Sequence, residues 1–373
     1  MRRTCFIIVF AAGCLLNGHA EMRLRSTIDH RQMVRSDAGI PLRGCRFMIN
    51  SNMTNSNQAL FGTDSVAHRE YFHSLAADFH LNCIRIIFKA YRWGQSNEFD
   101  DEYLPAQTTS AIDAVVRYCE EEGIYAVLNY HEVGSLSLSQ AKEFWGLYAP
   151  RYKDKTHVLY ELCNEPKKWG DEFSDGLIED IDSLYVFVDR LAPETFKICF
   201  TPSGLSNSTV TRMVEKASRI EYDHAAVGYH LYQGNVGDAD AVAEAGYPVM
   251  CTEIPSDTDE KVDYGKLMPL LKDLEEAGQS WLSWFPDANG NETNQFGADF
   301  MDSLSAYGID HWPADTARLE VRVRGFTASK YRHSESGSRG EYNVLGRFRK
   351  RAGNKQSDVQ QRKLLEHWNV IVR

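Results

Sequence analysis

The sequence predicts an α/β protein whose central part is a closed barrel of eight parallel strands. Between about residues 40 and 317, eight short apolar runs alternate with longer amphipathic stretches. The runs are nearly continuous in apolar residues, which is typical of strands buried on both faces of a parallel sheet. The chain lacks G-x-G-x-x-G and G-x-x-x-x-G-K-[ST], the phosphate loops that would favour an open nucleotide-binding sheet. A (β/α)8 TIM barrel with extensions fits the length of 373 residues.

The stretches between the runs have the apolar spacing of helices. Thr108–Glu122 and Tyr264–Ala277 are each followed by a glycine, Gly123 and Gly278, the residue that most often ends a helix. Asp180–Leu191 has a similar pattern. The predicted strands are Phe47–Asn50, Ile84–Phe88, Tyr125–Tyr130, Val158–Cys163, Ile198–Thr201, Ala226–Leu231, Val249–Glu253 and Trp281–Phe285.

The first 20 residues have the pattern of a secretory signal peptide. Arg2 and Arg3 precede Thr4–Leu16, an uncharged and mostly apolar run, and small residues precede a cleavage point before Glu21. The run is shorter than the ~20 apolar residues of a membrane-spanning helix. We therefore expect a secreted, periplasmic or extracellular protein without a transmembrane segment. Lipid anchoring at Cys14 is the alternative.

Residues 21–317 are the predicted barrel domain, and residues 318–373 form a basic extension. The extension has 14 Lys and Arg against 5 Asp and Glu, while the chain as a whole has a net charge of −11. Its richness in Arg, Ser and Gly favours partial disorder, and contact with an anionic polymer or a membrane surface is the alternative. Since the body of the chain is acidic, we expect no nucleic-acid partner.

The cysteines indicate neither a disulfide framework nor a metal site. Six of them follow the signal peptide, several inside apolar runs, and none forms a C-x-x-C pair or a Cys/His cluster with zinc spacing. We expect small buried thiols, no metal and no cofactor.

Polar residues at or near the ends of the predicted strands indicate one concave site. In a parallel barrel the carboxyl ends of the strands share one rim, where active-site residues lie. Two carboxylates, two histidines, an arginine and hydrogen-bonding or aromatic side chains would meet there. These residues are Arg85, His131, Asn164, Glu165, His230, Tyr232, Glu253, Trp281 and Trp284.

This ordered set resembles glycoside hydrolase family 5, the cellulase and mannanase family of retaining (β/α)8 glycosidases. The resemblance spans about residues 40 to 312. Asn-Glu-Pro alone is shared by several related families, so the order of all the pieces is the specific signal. The pieces are Cys83–Ile86, Asn129–His131, Leu162–Pro166, Gly228–Tyr232, Cys251–Glu253 and Ser280–Trp284.

The resemblance implies that Glu165 is the acid/base and Glu253 the nucleophile. Retaining hydrolysis needs two carboxyl groups ~5–5.5 Å apart, one protonated and one ionised. Arg85 would keep Glu253 ionised through its fixed positive charge, and Tyr232 would donate a hydrogen bond to it.

The resemblance assigns the remaining residues to sugar binding. Asn164 would bind the sugar 2-hydroxyl, and His131 and His230 would bind sugar hydroxyls and the acid/base. Trp284 would stack against the sugar at the cleavage site. Trp281 is the second candidate for that platform, and one of the two tryptophans is expected to pack in the barrel wall.

The expected function is retaining cleavage of a β-linked polysaccharide, with β-1,4-glucan as the first choice of substrate. A β-mannanase or an exo-β-glucosidase of the same fold is the alternative, because these activities occur on the same set of residues. A non-catalytic glycan-binding barrel is a third interpretation, against which the presence of both carboxylates counts.

Overall fold

The computed structural model describes residues 26–49, 66–88, 106–167, 172–204, 207–232, 235–255, 264–284 and 298–309. All of these belong to the first of the two units into which the chain divides, Met1–Gly325. The predicted signal peptide and basic extension lie outside the described residues.

The predicted closed barrel of eight parallel strands is confirmed. A two-stranded antiparallel sheet, β1 (Thr27–Ile28) and β2 (Val34–Arg35), precedes it. The barrel closes where β10 pairs with β3, so that its order around the circle is β10-β3-β4-β5-β6-β7-β8-β9. Its strands are β3 (Arg43–Ile49), β4 (Cys83–Phe88), β5 (Tyr125–Tyr130), β6 (Val158–Glu161), β7 (Lys197–Cys199), β8 (Ala225–His230), β9 (Val249–Ile254) and β10 (Trp281–Ser283).

Helices alternate with these strands along the chain, as in a βα repeat. The helix predicted at Tyr264–Ala277 has those bounds, and Gly123 and Gly278 follow their helices with φ of 72° each, which favours glycine. The described helices are α1 (Val66–Ala77), α2 (Ala106–Glu122), α3 (Leu138–Tyr152), α4 (Asp175–Leu191), α5 (Asn207–Lys216), α6 (Val236–Glu244), α7 (Tyr264–Ala277) and α8 (Ala298–Ala306).

Apolar side chains form two layers because successive residues of a strand point to opposite faces. One cluster fills the barrel interior and includes Val127, Leu159 and Met250. The larger cluster includes residues of the opposite strand faces, such as Ala126 and Tyr160, together with apolar side chains of the helices. Farther along the strands the inward positions become polar and buried, and this change places the site at the carboxyl rim.

In the part of the chain that the structure describes, the six cysteines that follow the predicted signal peptide are buried and form no disulfide, as expected. They are Cys45, Cys83, Cys119, Cys163, Cys199 and Cys251. Among the described residues, no helix has both the length and the apolar character needed to cross a membrane.

Glycine is required where β3 passes close to β4. A Cβ at Gly44 would lie 1.8 Å from the backbone oxygen of Cys83, whereas a Cβ at Gly146 in α3 would meet only Phe187, at 3.8 Å. We expect Gly44→Ala to lower the free energy of unfolding by on the order of 3 kcal/mol or more, because the backbone of a closed barrel cannot move aside.

The matched substitution Gly146→Ala should be neutral or stabilising by up to about 1 kcal/mol, since alanine favours a helix interior. Denaturant unfolding of both variants checks this. Equal stability of the two would contradict the close approach of β3 and β4.

Candidate active site

The candidate site is built around Arg85, a fully buried arginine of β4. Its Nη1 donates to Oε2 of Glu253 at 2.5 Å, and its Nη2 donates to Oδ1 of Asn164 at 2.7 Å. Tyr232 donates to the other oxygen of Glu253, Oε1, at 2.6 Å. The structure therefore brings Glu253 between a guanidinium and a phenol, as the sequence predicts.

The surroundings of Glu253 favour its ionised form. Burial by itself raises the pKa of this carboxyl, but the positive charges of His230 and Arg85 and the hydrogen bond from Tyr232 bring the pKa below its ordinary value. Since Oε1 and Oε2 are held by different donors, the side chain has a fixed orientation. An ionised, oriented carboxylate is suited to act as a nucleophile.

Glu165 has a different environment. Its Oε1 accepts a hydrogen bond from Nδ1 of His230 at 2.9 Å, and its side chain is 20% exposed against 7% for Glu253. The backbone of Glu165 has a φ of 39°, in the left-handed region that is unfavourable for a residue with a Cβ. This conformation is held by hydrogen bonds from Glu165 N to Thr201 O at 3.2 Å and from Gly134 N to Glu165 O at 2.8 Å.

Glu165 and Glu253 face each other across the rim. One oxygen of each carboxylate and one nitrogen of His230 all lie within 4.8 Å of one another. Oxygens this close fit the ~5–5.5 Å between the carboxyl groups of retaining glycosidases better than the ~6.5–9.5 Å of inverting enzymes, which must admit a water between them. The two carboxyl groups are thus close enough to act on the same glycosidic bond, one as a nucleophile and the other as an acid/base.

A β-bulge turns Glu253 into the site. β9 pairs with β8 through Tyr229 and Cys251 and then through His230 and Glu253, so that one residue of β9 is skipped. Cys251 and Ile254 both pack in the outer apolar cluster, although regular alternation would place them on opposite faces. The extra residue between them directs the side chain of Glu253 inward, as bulges commonly do near functional sites.

His230 is a buried cation at neutral pH. Burial lowers its pKa, but Glu253, Glu161 and Glu165 together raise it to about 9, against an opposing effect of Arg85. Its Nε2 lies 3.7 Å from Glu253 Oε2. His230 therefore supplies a second positive charge beside Glu253.

Asn164 joins the site to the loop that follows β5. Its Nδ2 donates to the backbone oxygen of Glu132 at 3.0 Å. The Glu132 carboxylate in turn accepts from the backbone N–H of Ser137, at 3.1 and 3.2 Å from its two oxygens. Because Ser137 is the N-cap of α3, the Glu132 carboxylate connects the loop after β5 to the start of this helix.

The last predicted pair of residues, His131 and Trp284, lies in ring-to-ring contact. The two rings are stacked with centroids 5.7 Å apart, and Nδ1 of His131 donates to Oδ1 of Asn129 at 2.9 Å, which fixes the imidazole. The guanidinium carbon of Arg46 lies 4.0 Å from the centroid of the Trp284 ring. A sugar placed on Trp284 would therefore share the indole with Arg46 and His131.

The structure places Trp281, the second candidate for the sugar platform, in the barrel wall and not at the site. Its side chain is fully buried in the outer apolar cluster, and its Nε1 donates to Oε1 of Glu275 in α7 at 2.8 Å. Alternation along β10 explains this, because the adjacent Leu282 packs in the barrel interior. Of the two tryptophans, Trp281 is the one that packs in the wall.

Three charged residues near the site were missed by the sequence analysis. Glu161, the last residue of β6, is fully buried against Arg85. Glu132 is buried beside His131, and Arg46 lies over Trp284. A charged residue within a run expected to be a doubly buried strand is the signal that could have identified Glu161, because such a charge needs a partner.

Glu165, His230 and Glu253 could in principle offer three atoms to one metal ion, since those atoms lie within 4.8 Å of one another. Hydrogen bonds with Arg85, with Tyr232 and within the set already use these groups. Arg85 would also repel a cation placed there. The donor set is therefore satisfied by the protein itself.

Comparison with known proteins identifies a family for the first half of the barrel. A family profile described as "Cellulase (glycosyl hydrolase family 5)" matches residues 43–191. This range contains Arg85, His131, Asn164 and Glu165.

The curated relatives are bacterial endoglucanases. Endoglucanase MaCel5A of Microbulbifer sp. (strain ALW1) is 21% identical over 257 residues, 64% of this chain and 46% of the relative. Endoglucanase CelA of Streptomyces lividans is 30% identical over 96 residues, 25% of this chain and 19% of the relative. The chain thus spans less than half the length of either relative.

Solved structures share the fold. The β-glucanase SdGluc5_26A of Saccharophagus degradans in complex with cellotetraose has a TM-score of 0.57 at 19% identity, covering 79% of this chain and 94% of that one. The catalytic domain of Thermobifida fusca endoglucanase Cel5A in complex with cellotetraose has a TM-score of 0.52 at 21% identity, covering 79% and 97%.

The pKa of Glu132 predicts a pH-dependent stability. Burial raises the pKa from 4.5 to about 7, against the hydrogen bonds from Ser137 and Tyr130. At a pH between these two pKa values, the Glu132 carboxyl binds its proton more tightly in the folded chain than in the unfolded chain. This stabilisation is therefore complete below pH 4.5 and is lost as the pH rises through 7.

In the wild type, the free energy of unfolding should fall by on the order of 2–3 kcal/mol between these two pKa values, and we expect Glu132→Gln to remove this fall. Urea unfolding at pH 4.5 to 8 measures the difference between variant and wild type. Glu143→Gln, at an exposed position of α3, should keep the wild-type slope. A slope left unchanged by Glu132→Gln would contradict the assignment.

Proposed function

The chain belongs to glycoside hydrolase family 5, and on this premise we propose that it is a retaining endo-β-1,4-glucanase that works through a covalent glycosyl-enzyme intermediate. The observation that carries the proposal is the pair Glu165 and Glu253, which have one oxygen each within 4.8 Å of the other and lie in unlike surroundings. In this proposal Glu253 is the nucleophile and Glu165 the acid/base.

The first step forms the intermediate. A carboxylate oxygen of Glu253 attacks the anomeric carbon, while a protonated Glu165 gives its proton to the departing glycosidic oxygen. Arg85 and Tyr232 hold the nucleophile in position by the two hydrogen bonds described above. The remaining N–H of the Asn164 amide is suited to the sugar 2-hydroxyl, because the other is donated to Glu132.

The second step releases the sugar. Glu165, now without its proton, accepts one from a water molecule, and that water attacks the anomeric carbon and displaces Glu253. Since Glu165 is the more exposed of the two carboxyls, it is the one that water can reach. Two displacements at the same carbon retain the anomeric configuration.

The choice of β-1,4-glucan is supported by the relatives, which are named endoglucanases, and by related folds solved with cellotetraose. A polymer of this kind cannot enter a cell, so we also propose that the chain acts outside it, in line with the signal peptide predicted from the sequence.

Azide should distinguish the two carboxylates by the products it gives. Glu253→Ala should lose on the order of 1,000-fold or more in kcat, because the nucleophile is absent. Azide in the vacated space should restore part of the activity on dinitrophenyl β-cellobioside by a single displacement. The product should then be the inverted α-cellobiosyl azide.

Glu165→Ala should still react with the same substrate, whose leaving group needs no proton, and azide should trap its intermediate as the retained β-cellobiosyl azide. Anomeric NMR signals identify the products. Glu215→Ala, at an exposed position of α5, is the control and should keep wild-type activity. The same anomer from both variants would refute the assigned roles.

A substrate panel tests the specificity. We expect hydroxyethylcellulose to be hydrolysed at least about 10-fold faster than β-mannan, because the site must distinguish the orientation of a hydroxyl group. Viscosity should fall before many reducing ends appear, as internal cleavage requires. Faster release from mannan, glucose as the sole product, or binding without turnover would each overturn the endoglucanase assignment.

A further inference from the structure

Glu161 is the buried partner of Arg85. Its carboxylate accepts from Arg85 Nε at 2.7 Å and from Arg85 Nη2 at 2.9 Å, and both side chains are at most 1% exposed. Its Oε1 also lies 3.9 Å from Nε2 of His230. Glu161 thus contacts both cations that stand beside Glu253, and it lies behind Arg85 as seen from the nucleophile.

The pairing determines the direction of Arg85. A guanidinium is planar, and its N–H groups have fixed relative directions, so holding Nε and Nη2 also fixes Nη1. Nη1 is the group that donates to Glu253 Oε2, at 2.5 Å. The two hydrogen bonds to Glu161 therefore aim the third at the nucleophile.

The pairing also balances charge through the proposed reaction. Arg85 and His230 are two buried cations, and burying a charge without a counter-charge is costly. When Glu253 becomes an ester in the glycosyl-enzyme, its negative charge is lost. Glu161 cannot be esterified behind Arg85, so its charge stays.

We propose that Glu161 is a positioning residue of the hydrolytic site, which aims Arg85 at Glu253 and supplies the constant negative charge that balances Arg85 and keeps His230 cationic while Glu253 is esterified. This inference rests on the proposed function and adds to it a residue that touches neither sugar nor water. It assigns to β6 a role in preparing the nucleophile, besides placing the acid/base.

The chain contains a matched control. Arg43 and Glu275 form the same two-bond pair, with Nε to Oε1 and Nη2 to Oε2 both at 2.7 Å, and side chains 1% and 3% exposed. Arg43 begins β3, at the barrel end opposite the site, and Glu275 lies in α7. Glu161→Gln and Glu275→Gln therefore make the same chemical change in two similar buried pairs, of which only one adjoins the nucleophile.

The first measurement is the rate at which 2-deoxy-2-fluoro-β-cellobiosyl fluoride labels Glu253, followed by mass spectrometry. Glu161→Gln should slow labelling by on the order of 100-fold and lower kcat/KM similarly, because the nucleophile loses an aimed donor. Glu275→Gln should label within about 3-fold of wild type wherever it is folded. If the labelling rate fell in both variants only in proportion to the fraction of folded protein, Glu161 would have a structural role alone. That result would overturn the proposal.

The second measurement is the titration of the His230 imidazole by 15N NMR, which needs no turnover. Four groups set this titration: Glu161 and Glu165 from β6 and the loop after it, Glu253 from β9, and Arg85 from β4. Glu161→Gln should shift its midpoint down by at least about one pH unit, and Glu275→Gln should leave it unchanged. An unshifted midpoint in Glu161→Gln would overturn the charge-balancing role.

Glu161→Asp distinguishes the orienting of Arg85 from the balancing of charge. It also replaces Glu161→Gln as the test variant if Glu161→Gln does not fold. The shorter carboxylate keeps the charge but cannot reach both donors, so the His230 midpoint should stay near that of wild type while labelling slows. Wild-type labelling in this variant would refute the aiming role. A wild-type chain that hydrolyses no glycan and takes up no label would refute the proposed function alone, because the NMR comparison still decides the charge-balancing role.

Discussion

The buried guanidinium of Arg85 is the constraint on which the site depends. A permanent positive charge inside a barrel is tolerated only with negative charges and hydrogen-bond acceptors around it. Glu161 from β6, Glu253 from β9 and Asn164 from the loop after β6 meet this need. Because leaving Arg85 without partners would be costly, elements from different sides of the barrel are held in one arrangement, and Glu253 is part of that arrangement.

Unequal surroundings separate the roles of the two opposed carboxyls. Glu253 is buried against two cations and a phenol, so it stays ionised and immobile. Glu165 is more exposed and bonded to His230, so protons and water can reach it. In the proposed mechanism a nucleophile and a proton carrier thus arise from the same residue type, through differences in burial and in neighbouring charge.

The sequence predicts the barrel well because buried parallel strands are apolar and their polar ends converge on one rim. β5 and α7 have the predicted bounds, and Arg85, Glu165 and Glu253 meet as expected. The direction of side chains within an apolar strand is harder to predict, since neither face is marked by polar residues. For this reason the sequence pattern offers Trp281 as a second candidate for the site although it faces the helices, and it does not reveal Glu161 although that residue contacts Arg85.

The short distance between the carboxylates depends on two backbone irregularities that no residue pattern reveals. Without the bulge in β9, alternation would direct Glu253 toward the helices. Without the φ of 39° at Glu165, the chain after β6 would follow a different path. Both distortions are stabilised from outside their own strands, by pairing with β8 and by the hydrogen bonds of Glu165 with Thr201 and Gly134. The short spacing of the two carboxylates is therefore a property of the closed barrel as a whole, because it exists only where neighbouring strands and loops hold strained backbone in place.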